Sequence, residues 1–135
     1  MTQEEKQILL IDLCGRLSYG VKISIDSYNS TQVLTAIDTI RETFNTEHSL
    51  NERIFGRHGE SYLKPYLRPI SSMTEEEEKD LCNSCIWLWF ANDLRTVMHG
   101  DYKCYDWLNA HHFDYRGLIP MGLALEAPED MYEKF

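Results

Sequence analysis

A chain of 135 residues, 43% hydrophobic and 26% charged, has the size and composition of one globular domain, and it can bury a core without metal or disulfide. Its 22 acidic and 13 basic residues leave a formal charge of −9, unevenly spread: residues 1–70 carry 9 acids against 8 bases, residues 71–135 carry 13 against 5. Such a negative half repels phosphate backbones, which argues against direct nucleic-acid binding, and the longest apolar runs, Ile8–Ile11 and Ile86–Ala91, fall far short of a membrane span.

The polar, acidic opening Met1-Thr2-Gln3-Glu4-Glu5-Lys6 is unlike a signal peptide. With no export signal, Cys14, Cys82, Cys85 and Cys104 read as free thiols of a reducing compartment, and a cytoplasmic protein is expected. Thr2 and Glu5 form a T-x-x-E capping box, and Leu9, Leu10, Leu13 and Leu17 follow at helical spacing until Gly20. From Val21 to Asp26 apolar and polar residues alternate, the pattern of a half-buried strand. Tyr28 to Thr31 has turn chemistry. The β-branched residues Val33, Thr35, Ile37 and Thr39 favour a returning strand, although Leu34, Ile37 and Arg41 also permit a helix.

Residues 42–73 are the least readable, with Ile54-Phe55 expected as a third short strand before a Gly56-Arg57-His58-Gly59 turn. Pro65 and Pro69 make the segment from Tyr62 to Ile70 an extended edge or connector in this reading, not a central strand. Thr74 and Glu77 repeat the capping box and open a long helix, which Leu81, Cys85, Leu88 and Val97 make apolar and His99-Gly100 ends. A shorter helix is expected over Cys104–Ala110, then an irregular, packed tail. The expected fold is α+β, one domain over 1–135: a small antiparallel sheet against an N-terminal helix and one long plus one short C-terminal helix. The expected core is Leu9, Leu13, Leu17, Val21, Ile23, Ile25, Leu81, Cys85, Leu88 and Val97.

Chemistry is sparsely signalled. Cys82, Cys85 and Cys104 with His111 or His112 are the best metal-ligand candidates, but Cys82 and Cys85 lie within a helix and lack the tight turn of a zinc knuckle. Buried small hydrophobes are the plainer reading. His111, His112, Asp114 and Asp106 offer an acid/base cluster; Asp106 and His111, five apart, do not stack on one helix face. The 56–59 turn is too short and lacks the lysine of a phosphate-binding loop. Arg53, Arg57, Lys64 and Arg68 interleave with Phe55, Tyr62 and Tyr66 as single-strand nucleic-acid binders do, yet Glu52 and Glu60 dilute the set. Trp87 and Trp89 point to different faces of the long helix, so one of them is free for a partner surface.

Three strings are distinctive: Leu10 to Lys22, Tyr62 to Glu77, and Asp106 to Pro128. They resemble an uncharacterised family of small proteins from gut bacteria, their phages and mobile elements. The likeness covers roughly half the chain and implies no reaction, ligand or catalytic residue. The leading expectation is a non-enzymatic binding or accessory protein acting through a protein–protein surface, with no cofactor and no membrane association. One alternative is a metal-binding protein or enzyme using the cysteine–histidine set. The other is an acidic inhibitor from a mobile element that occupies the basic groove of a nucleic-acid-binding protein, with Glu75 to Glu78 as part of its surface.

Overall fold

The computed structural model describes residues 1–26, 30–84 and 102–132. In it the first capping box closes as the sequence implies. The Thr2 hydroxyl accepts from the Glu5 N–H and the Glu5 carboxylate accepts from the Thr2 N–H, both at 3.1 Å. Helix α1 (Gln3–Arg16) buries Leu9, Leu10 and Leu13. It leaves through a 3-10 turn (Leu17–Tyr19) and Gly20, whose φ of +69° is open to glycine without cost.

Strand β1 (Lys22–Ile25) turns Ile23 and Ile25 inward, and β2 (Ser30–Asp38) returns beside it, which settles the strand-or-helix choice at Val33. Next come β3 (Thr43–Thr46), β4 (Glu52–Arg53), β5 (Leu63–Leu67) and, near the end, β6 (Leu125–Glu126). They form one six-stranded sheet in the order β4-β3-β2-β1-β5-β6. The fold is α+β, but the sheet is larger than expected and mixed: β5 and β6 run parallel, the other pairs antiparallel. Helix α1 shares a core with it, in which Leu9, Leu13, Ile23, Leu34, Phe44 and Leu63 are buried together.

Two expectations over residues 42–73 are corrected. Ile54-Phe55 is not a strand; Phe55 makes only an isolated bridge to Ser61, and the strands lie earlier, as β3 and β4. β4 is only two residues long, and in β3 the inward position Thr46 is polar, hydrogen-bonded to the buried Gln32 of β2. That polar pair breaks the apolar alternation that marks a strand.

The segment with the prolines is not an edge: β5 lies between β1 and β6. Pro65 is tolerated for a geometric reason. The Asp26 N–H donates to the Tyr62 carbonyl, and Ile23 pairs with Pro65 three positions away on both strands. Hydrogen-bonded pairs alternate along an antiparallel ladder, so the Ile23–Pro65 pair is a non-bonded one. The proline nitrogen therefore faces away from β1, and on that other side β6 begins only opposite Tyr66. No ladder donor is lost.

The second capping box also forms: Thr74 Oγ1 accepts from the Glu77 N–H at 3.2 Å, and Glu77 accepts from the Thr74 N–H at 3.0 Å. It opens α2 (Glu75–Ser84); the expected continuation to Gly100, with Cys85, Leu88, Val97, Trp87 and Trp89, lies outside the described residues. Helix α3 (Tyr102–Ala110) packs on α2. Leu81, Cys104, Trp107, Leu108 and Phe113 form a second, smaller apolar cluster, so Leu81 does not join the sheet core. Leu17 is only half-buried. Cys104 is disulfide-bonded, which corrects the expectation of four free thiols; Cys14 and Cys82 are free.

Candidate functional site

Between the two apolar clusters runs a seam of buried charge. Arg16, on the last turn of α1, is fully buried; its Nε donates to Asp12 at 2.8 Å and its Nη2 to the Phe113 carbonyl at 2.6 Å. Arg116 donates to the other Asp12 oxygen at 2.7 Å. Arg68, one residue past β5, grips Glu77 in a two-pronged pair at 2.6 and 2.7 Å. Its Cζ lies 4.2 Å from the centroid of the Phe113 ring. Breaking one partner of such a buried pair strands a charge, so the seam is a strong constraint on the segment His111–Asp114. Burial alone would raise the Glu77 carboxyl, but its hydrogen bonds to Arg68 and Thr74 and the Arg68 charge hold it below the usual range.

His112 sits at the centre with a left-handed φ of +64°, uncommon outside glycine. Its backbone carbonyl accepts from Arg68 N–H, and its ring stacks on Tyr132 at 3.7 Å. Burial first, then the charges of Arg16, His111, Arg68 and Lys22, lower its pKa to about 4, and its Nδ1 has no hydrogen-bond partner. It is therefore a neutral ring at physiological pH. The Tyr132 hydroxyl enters where the β1–β5 ladder ends, accepting from the Lys22 N–H at 2.8 Å and donating to the Tyr66 carbonyl at 2.9 Å.

Beside this stack is an open pocket of about 380 Å³. Arg68 and Pro69, after β5, and Ser72, in a 3-10 turn (Ile70–Ser72), make one side. Glu126, Ala127, Pro128 and Glu129, after β6, and Tyr132 make the other. Ala127 is fixed by its N–H donating to the Leu67 carbonyl at 2.8 Å, and Ser72 is spent on the Pro69 carbonyl at 2.7 Å. Arg68 is neutralised by Glu77, whereas Glu126 and Glu129 are exposed and make no hydrogen bond or ion pair among the described residues. The pocket therefore combines apolar walls with an unbalanced negative rim.

The residues singled out from sequence are mostly dispersed. Asp106 is exposed on α3, while Asp114 spends both oxygens on the N–H groups of Leu118 and Ile119 at 2.8 and 2.9 Å. His111 stacks on Trp107 at 3.9 Å; burial, with Arg68, lowers its pKa against the pull of Glu77 and Asp80. The acid/base cluster does not assemble. Among the described residues no three His, Cys, Asp or Glu side chains are grouped to hold a metal. Of the metal-ligand candidates, Cys85 lies outside those residues, and Cys104, as a disulfide sulfur, is not a thiolate donor.

The basic–aromatic set is broken up as well, since Arg68 and Phe55 are buried. Glu126, Glu129 and Tyr132 were not legible as site residues, because nothing in their spacing brings the tail back to β5. No helix among the described residues is long and apolar enough to cross a membrane. No protein-family model matches the chain, and neither the curated proteins nor the solved structures contain a significant match to it.

Proposed function

We propose that the protein is a non-enzymatic binding protein that docks a partner protein at the pocket between the end of β5 and the tail after β6. The observation that carries this reading is the pocket itself: about 380 Å³, walled by prolines and Tyr132, and rimmed by two carboxylates with no partner among the described residues. Its size falls within the range of sites that receive a side chain or small ligand. The rigid support beneath it also favours recognition, because a preorganised surface loses less entropy on binding.

The test is affinity capture with wild type and with Ala127→Trp, which fills the pocket from a half-exposed position. Ile40→Ser, at the turn between β2 and β3 where Ile40 is 93% exposed, is the control. Capture retained by wild type and Ile40→Ser but lost by a folded Ala127→Trp supports the reading. Equal capture by all three removes it.

A further inference from the structure

Resting on that docking reading, we infer that the side chain entering the pocket is an arginine from the partner. The charge balance decides the sign of the guest. Among the described residues the one cationic side chain in the lining, Arg68, is held by Glu77 through both terminal nitrogens. This leaves Glu126 and Glu129, among those same described residues, as the unbalanced charges of the lining, on a chain that is at −9. Arg68 Nε is buried and makes no hydrogen bond, but the charge it belongs to is balanced by Glu77. An anionic guest would therefore meet repulsion at the rim with no unbalanced cation among the described lining residues.

The walls decide the shape of the guest. Pro69, Pro128 and Tyr132 present apolar surface, which suits the methylene stem of a long basic side chain while its head reaches the polar rim. Arginine fits better than lysine. Its flat guanidinium offers five donors in a fixed fork, enough to bond carboxylates on two residues, and it stacks on flat surfaces; an ammonium acts as a compact, strongly hydrated charge. The volume of about 380 Å³ accommodates one such side chain with its flanking backbone, not a folded element. Glu126 is placed by the β5–β6 pairing, in which it stands opposite Leu67, and Tyr132 by its two hydrogen bonds to β1 and β5.

The experiment is an NMR titration of the full ¹⁵N-labelled chain with three probes: N-acetyl-arginine amide, N-acetyl-lysine amide and N-acetyl-citrulline amide. Citrulline keeps the shape of arginine and removes its charge. Saturable shifts at the amides of Glu126, Ala127 and Glu129 are expected with arginine, weaker binding with lysine, and binding weaker by up to about fivefold with citrulline, the scale of one partly exposed charge pair. In the Glu126→Gln/Glu129→Gln double variant, whose spectrum reports whether it is folded, arginine and citrulline should become equal. Equal binding of arginine and citrulline by wild type, no saturable shift with arginine, or shifts centred on Glu75 to Glu78 would each overturn the inference. The capture comparison with Ala127→Trp uses none of these probes, so a failed arginine assignment is distinguishable from a failed docking site.

Discussion

Tyr132 ties three parts of the molecule with one side chain. Its hydroxyl bonds the backbone of β1 and β5, its ring covers His112, and its edge forms a wall of the pocket. Tyr132→Phe keeps the stack but leaves the Lys22 N–H and Tyr66 carbonyl without that partner, and a loss of about 1–3 kcal/mol in denaturant unfolding is expected. A change below a few tenths of a kcal/mol would mean that the tail is not seated as described. The Arg68–Glu77 pair sets a larger scale. Glu77→Gln should cost about 3–5 kcal/mol because a buried guanidinium loses its counter-charge, whereas Arg68→Met combined with Glu77→Leu should recover much of that loss. Unfolding curves of the three variants read this directly.

At the level of elements, the two capping boxes behave differently. Thr2 and Glu5 cap an exposed helix start, while Glu77 caps α2 and grips Arg68 at once. Thr74→Ala is expected to cost about 1 kcal/mol, near the usual cap value. It should also loosen the Glu77 carboxylate, and hydrogen exchange at the first turn of α2 would report this. These caps were legible in the sequence because a box needs only four residues in a row. The same holds for α1, β1 and α3, each written in local spacing. The strand pair β3–β4 was not legible, since β4 has only two residues and the inward position Thr46 of β3 is polar, satisfied by Gln32 of β2 in a way no local pattern records. The role of β5 was hidden by Pro65, whose meaning depends on which way its nitrogen faces in the ladder. The pocket depends on a parallel pairing between residues about sixty positions apart, Tyr66 with Leu125, and single-sequence spacing carries no trace of it.

For the whole molecule, the buried seam makes stability depend on pH in a definite direction. The folded-state pKa of His112 is depressed, to about 4 against an ordinary 6.5, so the unfolded chain binds the extra proton between those values. The stabilising contribution is full above pH 6.5 and is lost as pH falls through 4. Glu77, held below its ordinary value, continues the loss at lower pH. Stability should fall by on the order of 2–3 kcal/mol between pH 7 and 4 from His112 alone. His112→Gln should flatten that part of the profile in a melting series across pH; an unchanged slope would place the proton elsewhere.

Docking of a partner beside Arg68 would be read by hydrogen exchange on the full chain, alone and with a captured partner. Docking at the pocket should slow exchange over 125–132 and 68–72 and leave the turns around Ile40 and Leu50 unchanged. Slowed exchange at those turns, with 125–132 unaffected, would contradict it.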